Sequence, residues 1–165
     1  MIHVIADTHW NHPNIIKYCS RPENYRELII DNWRRLVQSD DTVIHLGDVI
    51  FNRRHELRGI LESLPGVKIL IVGNHDKRTG TNNWFLGNGF NYVCKSHTLR
   101  NVLFTHKPVD IAEYPGIEYN VHGHLHNDRE AIKGYPFYDE AHNILMSVEE
   151  FDYRPARLEE LVELR

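Results

Sequence analysis

The stretch VKILIVGNHD, residues 67–76, joins a buried strand to a polar turn and decides the fold. From Val67 to Val72 the chain is a run of β-branched residues and Leu that only Lys68 interrupts, a pattern typical of a strand covered on both faces. The turn that follows, GNHD at 73–76, carries side chains that can bind a metal or exchange a proton. Because ligands in open α/β sheets lie at the carboxyl ends of strands, this turn predicts a functional edge.

The same arrangement recurs at four other strand ends. Strands are predicted at 2–6, 42–46, 90–94, 101–105 and 119–121, and all but the one at 90–94 are followed by polar motifs. These motifs are Asp7-Thr8-His9, Gly47-Asp48, Thr105-His106 and Gly123-His124-Leu125-His126. Each has an ordinary alternative, because Asp often caps a turn or helix and Gly and Asn are common in turns. Five such motifs, each at a strand end, indicate one shared site.

Helical periodicity separates the strands. Apolar residues recur at helical spacing from Glu23 to Gln38 and from Leu57 to Leu64, where Pro65-Gly66 ends the pattern. A short closing helix is predicted from Pro155 to Leu164. Strand–helix–strand units imply parallel pairing with right-handed crossovers. The sequence therefore predicts one α/β domain over residues 1–165, built as a sheet or a two-sheet sandwich covered by helices.

The composition is that of an ordinary globular protein. The 165 residues are 41% hydrophobic and 25% charged, and the formal net charge of -4 predicts no broad basic surface for long nucleic acid. Short nucleic-acid substrates stay open. Cys19 and Cys94 are the only cysteines, which argues against a disulfide framework or a cysteine-rich zinc site and fits reduced thiols in the cytoplasm. We expect no signal peptide and no membrane span.

The motifs, taken in order, resemble those of the calcineurin-like metallophosphoesterase superfamily. The matching series is Asp-x-His at 7–9, Gly-Asp at 47–48, Gly-Asn-His-Asp at 73–76, His106 and Gly-His-x-His at 123–126. It covers most of the chain, and the compact length is similar to a small single-domain prokaryotic or phage branch. The resemblance implies a two-sheet β-sandwich flanked by helices, in four layers α/β/β/α, with two metal ions at one edge.

The resemblance also implies a role for each motif residue. Seven side chains would hold the two ions, three on each and one carboxylate between them. The first ion would be held by Asp7, His9 and His126, the second by Asn74, His106 and His124, and Asp48 would bridge them. His75 would be the catalytic histidine that binds no metal, and Asp76 would orient it.

The chemistry of such a centre explains the residue types. Two metal ions about 3.5–4 Å apart can hold the attacking and leaving oxygens of a phosphate and lower the pKa of a bridging water. We therefore expect hydrolysis of phosphodiesters or phosphomonoesters by a metal-activated hydroxide, with nucleotides or short nucleic acids among the candidate substrates. Mixed imidazole and oxygen ligands suit Mn, the preferred metal, and also Fe, Zn or Ni, better than Mg or Ca. His75 would contact the phosphate or protonate the leaving alkoxide.

Two other functions stay open. A nuclease or RNA-end-processing enzyme would use the same metals, although no basic stripe supports it. A non-catalytic interaction scaffold tends to lose ligands or the catalytic histidine, and this chain keeps them all. The Asp-Arg pair that protein serine/threonine phosphatases of the superfamily carry shortly after Gly-Asp is not found here: the Asp is missing and Arg53 is displaced. That difference weakens a protein-phosphatase interpretation. The sequence indicates no oligomeric state.

Several residues outside the motifs have predicted roles. His3 and His45 are expected in the core or in support of the site, His122 in support, and His12 at the pocket mouth. The segment from Thr79 to Gly89 is rich in Gly and Asn and is predicted to be a loop that serves as a substrate lid. Three aromatic residues are candidates for stacking a flat substrate group, with core packing as the default. They are Trp10, Trp84 and Tyr114.

Overall fold

Two β-sheets form the centre of the protein in a computed structural model, which describes residues 1–163. The strands of this part of the chain are β1 (Ile2–Ile5), β2 (Thr42–His45), β3 (Val67–Ile71), β4 (Tyr92–Cys94), β5 (Ser96–Leu99), β6 (Val102–Thr105), β7 (Tyr119–His122), β8 (Asn143–Leu145) and β9 (Ala156–Arg157). The first sheet has the strand order β4-β3-β2-β1-β9, and the second has the order β5-β6-β7-β8. The predicted two-sheet architecture is confirmed.

Helices occupy the connections between strands. The α-helices are α1 (Ile15–Tyr18), α2 (Tyr25–Leu36), α3 (Leu57–Glu62), α4 (Asp76–Thr79), α5 (Asn82–Gly87) and α6 (Leu158–Glu163). Short 3-10 helices lie at Arg54–Glu56, Ile111–Glu113 and Arg129–Gly134, the last two in connections of the second sheet. Over residues 1–163, none of these helices combines the length and the apolar character that a bilayer span requires.

Parallel pairing brings the ends of several strands to common edges. In the first sheet β1 pairs with β2, β2 with β3 and β3 with β4, all parallel, while β9 runs antiparallel to β1. In the second sheet β6, β7 and β8 are parallel, and β5 is antiparallel to β6. The residues after β1, β2 and β3 therefore emerge side by side, as do those after β6 and β7.

One hydrophobic cluster extends over both sheets and includes helix α2. Tyr25, Ile29 and Trp33 repeat every four residues on α2, and all three are buried, as helical periodicity requires. The indole Nε1 of Trp33 donates to the carbonyl of Pro65, 3.0 Å away, so even the polar atom of this large side chain is satisfied. This packing fixes α2, which lies in the β1–β2 crossover, to the turn before β3.

Most predicted elements are confirmed, with small differences at their ends. Six strands and the two long helical patterns appear within two residues of the predicted bounds. The short strands β5, β8 and β9 were missed, because two to four residues carry too little periodicity. The closing helix predicted over 155–164 begins later, at Leu158, since residues 156–157 pair with β1 as β9. Residue 164 lies outside the described residues.

The segment from Thr79 to Gly89 is not the predicted loop. It contains α5, whose first turn is capped by Thr81, since its hydroxyl accepts a hydrogen bond from the Trp84 amide at 3.2 Å. Phe85 on this helix is buried in the core, and the Arg54 guanidinium lies 4.9 Å from the centre of the Trp84 ring. The Asn-rich start of the segment is a helix N-terminus, and its anchoring argues against a mobile lid.

The remaining stacking candidates separate by exposure. Trp10 is fully buried, so the default of core packing applies and it offers no face to a substrate. Tyr114 is exposed at the end of a 3-10 helix, and its stacking role stays a prediction.

The loops after β2 and β3 touch at a point where only glycine fits. A Cβ atom on Gly73 would lie 2.1 Å from the Asp48 Oδ1 and 2.6 Å from the Asp48 backbone nitrogen. On the facing loop, Gly47 has φ +99, and a Cβ atom added to it would lie 2.6 Å from the Gly73 backbone nitrogen. Backbone-to-backbone approach of this kind leaves no room for a side chain on either strand end.

We predict that Gly73→Ala lowers the free energy of unfolding by about 1–3 kcal/mol, because the added methyl group must displace the Asp48 backbone. The measurement is urea unfolding in the presence of a chelator, so that only the fold contributes. The control is Gly59→Ala in α3, where a Cβ meets nothing within 4 Å and should add up to about 1 kcal/mol. Equal stability of Gly73→Ala and the unsubstituted protein would contradict the close approach.

Candidate metal centre

Five of the predicted ligand residues adopt left-handed backbone conformations. They are Asp7 (φ 53), His9 (φ 44), Asp48 (φ 56), His124 (φ 71) and His126 (φ 51). Such conformations cost on the order of 1–3 kcal/mol each and cluster at functional sites. Backbone hydrogen bonds hold the first three in place, since the amide of Asp7 donates to Gly47 and that of His9 donates to Asp48, each at 3.0 Å. The strain is concentrated where the two sheets meet.

A first ligand group is formed by the loops after β1 and β7. The Nε2 atoms of His9 and His126 lie 3.8 and 3.9 Å from the Oδ1 of Asp7. Asp7 Oδ1 and His9 Nε2 are both buried without any hydrogen-bond partner. Buried polar atoms are rarely left unpaired, so a ligand that binds both atoms is expected. A divalent cation fits, because a carboxylate and two imidazoles are typical metal ligands.

A second group is formed by Asp48, Asn74, His106 and His124. The Nδ1–H of His106 donates to the Leu46 carbonyl at 2.7 Å, which directs the other ring nitrogen, Nε2, toward Asn74. This Nε2 lies 2.8 Å from the Asn74 Oδ1. An imidazole nitrogen and an amide oxygen this close together can bind the same cation. One atom each from Asp48, His106 and His124 lies within 4.8 Å of the others.

Asp48 lies between the two groups. Its Oδ2 is 3.8 Å from His9 Nε2 in the first group and 3.5 Å from His106 Nε2 in the second. Its Oδ1 accepts a hydrogen bond from the His75 amide at 2.9 Å. One carboxylate oxygen of Asp48 therefore lies within 4 Å of a histidine nitrogen in each group.

Burial makes ionisation of the Asp7 and Asp48 carboxylates less favourable than in water. Burial raises the pKa of Asp7 to about 6, against the charges of His126 and His106. Burial and the charge of Asp76 raise the pKa of Asp48 to about 7. A bound cation acts in the opposite direction, because it stabilises each carboxylate as an anion.

The histidines divide into two classes. Burial lowers the pKa of His9 well below its usual range and that of His124 to about 3, so both imidazoles are neutral, as metal binding requires. Burial also opposes protonation of His126, but hydrogen bonds with Cys19 and Glu149 and the charge of Asp7 raise its pKa to about 10. The surroundings of His126 thus favour positive charge, whether from a proton or from a metal ion.

His75 borders the centre and keeps contact with solvent. Its side chain is 33% exposed, and its Nε2 lies 3.9 Å from the Asp48 Oδ2. The ring makes an edge contact with His9 at 5.4 Å between centroids. Burial, and next the charge of Arg78, lowers its pKa, so the ring is neutral at pH 7 and retains one N–H donor.

Asp76 contacts backbone amides and makes no hydrogen bond with the His75 ring. Its carboxylate accepts from the amides of Asp48 (2.8 Å), Val49 (3.0 Å) and Gly73 (2.8 Å). The expected orienting contact with His75 is thus absent within residues 1–163. Asp76 fastens the turn that carries Asp48 to the turn that carries His75.

The other predicted histidines lie as follows. His45 is buried, with Nε2 3.0 Å from the Thr8 hydroxyl and Nδ1 accepting from the Gly47 amide at 3.1 Å, so it supports the loops after β1 and β2. His3 is buried beside Asp41, 3.2 Å away, remote from those loops. His122 is buried and lies 2.9 Å from the Gly123 carbonyl and 3.1 Å from the Tyr138 hydroxyl.

Aromatic rings line the mouth of the centre. Phe51, which sequence reasoning missed, is 40% exposed, and its ring centroid lies 4.3 Å from that of His12 and 5.8 Å from that of His75. The position expected for His12 at the pocket mouth matches its edge contact with His9 at 5.4 Å. Tyr18 extends the rim, 6.1 Å from His12. The available signal in the sequence was a Phe three residues after Asp48, close to the Gly47-Asp48 motif.

Two further buried residues were missed, Arg21 and Glu149. The Arg21 guanidinium donates to the backbone carbonyls of Thr8 (3.0 Å) and Asp7 (2.7 Å), and it pairs with Glu149 at 2.6 Å. The Tyr25 hydroxyl donates to the His9 carbonyl at 2.8 Å. Nothing local in the sequence marks these residues, because the contacts of Arg21 with Thr8 and with Glu149 join residues 13 and 128 positions apart.

Comparisons with known proteins agree with this geometry. A model of the family described as calcineurin-like phosphoesterase matches residues 1–102. An uncharacterised protein of Methanocaldococcus jannaschii is 34% identical over 170 residues, which cover 99% of this chain and 90% of that protein. A crystal structure of an Aquifex aeolicus protein of unknown function superposes with a TM-score of 0.81 at 28% identity, covering 100% of this chain and 99% of that one. The chain belongs to the calcineurin-like phosphoesterase family.

Proposed function

We propose that the protein hydrolyses phosphate esters, diesters or monoesters, with a centre of two divalent metal ions. The observation that carries the proposal is the pair of ligand groups joined by Asp48, in which Asp7 Oδ1 and His9 Nε2 are buried without partners. Family membership supports a metal-dependent phosphoesterase, and the shared carboxylate supports two ions.

The proposed ligand assignment follows the two groups. One ion would be held by Asp7, His9 and His126, the other by Asn74, His106 and His124, and Asp48 would contribute to both. The donor set of imidazoles, carboxylates and one amide suits Mn first, and Fe, Zn or Ni as well. When bound, the ions supply Lewis-acid polarisation of the phosphate and lower the pKa of water at the site.

His75 is the residue proposed to act on the substrate directly. It is partly exposed and next to Asp48, so its N–H can donate a hydrogen bond to a phosphate oxygen in the neutral form. The imidazolium form can pass a proton to the departing alkoxide and become neutral imidazole. The Asp48 carboxylate holds the His75 amide, and Asp76 holds the Asp48 amide. His75 is therefore positioned through the backbone of its own turn.

The rim supports substrates with a flat substituent. Phe51, His12 and Tyr18 offer ring surfaces beside His75, and a nucleobase or other aromatic ester group can stack there. The net charge of -4 does not favour long nucleic acid, so a nucleotide or short oligonucleotide suits the site better. Arg53 pairs with Glu56 on the surface, which does not support phosphoprotein binding at its position. The free thiols Cys19 and Cys94 support a cytoplasmic location.

The experiment that tests the activity is hydrolysis of bis-p-nitrophenyl phosphate and p-nitrophenyl phosphate by the Mn²⁺-loaded protein. We expect turnover that a chelator abolishes and that Mn²⁺ restores, because the proposed activity needs divalent ions bound to the ligand groups. Faster diester turnover assigns a phosphodiesterase, and faster monoester turnover assigns a phosphatase. Cleavage of an oligonucleotide separates the nuclease alternative. Two bound ions with no turnover of any of these esters would contradict the proposal and favour a scaffold.

Substitutions separate the ligand role from the proton-transfer role. We expect Asp48→Ala to abolish binding of the metal pair together with activity, because both ligand groups lose their common carboxylate. We expect His75→Ala to keep two ions, counted by elemental analysis, and to lower kcat by about 10²–10⁴-fold.

The matched control for both variants is His142→Ala, which removes an imidazole whose Nδ1 pairs with Asp139 on the surface. This variant should keep the activity and metal content of the unsubstituted protein. Full activity of His75→Ala with two ions bound would overturn the role proposed for His75.

A further inference from the structure

A buried carboxylate outside the proposed ligand set touches the ring of His126. The Glu149 side chain is 4% exposed, and its Oε1 lies 3.2 Å from the His126 Nδ1. Its Oε2 accepts from the Ser147 hydroxyl at 2.5 Å. His126 thus presents Nε2 to Asp7 and Nδ1 to Glu149.

Arg21 holds this carboxylate from the other side. Its fully buried guanidinium donates from Nε to the Glu149 Oε1 at 2.8 Å, and a second nitrogen lies 2.6 Å from the same oxygen. The same guanidinium donates to the carbonyls of Asp7 and Thr8. One cation therefore joins the loop of the first ligand group to the acceptor of His126, and it offsets the charge of Glu149.

The cluster of Cys19, His126 and Glu149 could itself be considered a metal site, because one atom of each lies within 4.8 Å of the others. Arg21 argues against it. A metal ion on Glu149 Oε1 would face the guanidinium that already lies 2.6 Å from that oxygen. The Glu149 Oε2 is also engaged by Ser147. The carboxylate is therefore placed to accept from a histidine, and the charge of Arg21 opposes a third cation at this cluster.

We propose that Glu149, held by Arg21, is a positioning residue that sets the metal affinity of the Asp7–His9–His126 group. Its carboxylate accepts the Nδ1–H of His126, which fixes the orientation of the ring and leaves Nε2 as the nitrogen that faces Asp7 and can bind a metal ion. The inference rests on the metal centre of the proposed function. It adds two residues to that centre and makes the two ligand groups unequal.

The inequality comes from a comparison with His106. There the Nδ1–H donates to a neutral acceptor, the Leu46 carbonyl, at 2.7 Å. A carboxylate acceptor makes the histidine a more basic ligand than a carbonyl does. Loss of Glu149 should therefore weaken the first group and leave the second group unchanged.

The test is Mn²⁺ binding to metal-free protein, measured by calorimetry and by electron paramagnetic resonance. The second method distinguishes spin-coupled Mn pairs from single ions. We expect Glu149→Ala to weaken one of two sites by about 10–100-fold and to leave the other within about twofold. The coupled-pair signal should give way to a single-ion signal at the same Mn²⁺ concentration. Glu149→Gln should retain part of the affinity, because its amide oxygen can accept the same hydrogen bond.

The matched control is Glu160→Gln, which removes the same charge from a half-buried pair with Arg154. It should bind Mn²⁺ as the unsubstituted protein does. Thermal unfolding of the metal-free variants checks folding, and Glu149→Gln decides the test if Glu149→Ala does not fold. Equal affinity at both sites in Glu149→Gln and the unsubstituted protein, or equal weakening at both sites, would overturn the inference.

Three further outcomes have separate meanings. Three ions on the unsubstituted protein, falling to two in Glu149→Ala, would overturn the positioning role and establish a third metal site at Cys19, His126 and Glu149. No Mn²⁺ binding by the unsubstituted protein would overturn the proposed metal centre, and the inference with it. Normal binding by two sites with a Glu149-dependent difference, but no ester hydrolysis, would support the inference while the proposed activity fails.

Discussion

The structure depends on how three buried carboxylates, Asp7, Asp48 and Asp76, are compensated. Asp76 accepts three backbone amides, which offset part of the cost of burying its carboxylate. Asp48 receives one amide at Oδ1, and Asp7 receives the His124 amide at Oδ2, 2.8 Å away, while its Oδ1 has no partner. An uncompensated buried anion is costly. Cations at the site would therefore be stabilising, because the polypeptide compensates only part of the negative charge of these carboxylates.

The same contacts hold the two sheets together. The His124 amide from the second sheet binds the Asp7 carboxylate from the first, and the His106 ring from the second binds the Leu46 carbonyl from the first. Gly123 packs so closely on this junction that a Cβ there would lie 2.4 Å from the Asp7 Oδ2. Five left-handed ligand residues are tolerated because these cross-sheet bonds over-determine the loops. The same contacts therefore build the site and join the two sheets.

What the sequence could predict follows from what is local in it. A buried strand that ends in a polar motif is a local pattern, so the six main strands and the positions of the ligand motifs could be read directly. The partners of Asp76 could not, because an Asp beside a His suggests a side-chain pair, whereas its carboxylate reaches the amide of Asp48, 28 positions earlier. Arg21 and Glu149 lie 128 positions apart, and Asn-rich α5 resembles a loop until Phe85 is seen in the core.

The buried Arg21–Glu149 pair is best understood through specificity. Burying two charges costs several kcal/mol per ion before their attraction is counted, so such a pair contributes little net stability. Here each member has a second task that an apolar pair could not perform, since Arg21 holds the carbonyls of Asp7 and Thr8 and Glu149 accepts from His126. The pair thus contributes a fixed orientation of the His126 ring and a fixed left-handed loop at Asp7, although it adds little net stability. The buried charges at this edge fix the geometry of the loops, and the hydrophobic core between the sheets provides the folding free energy that offsets their desolvation.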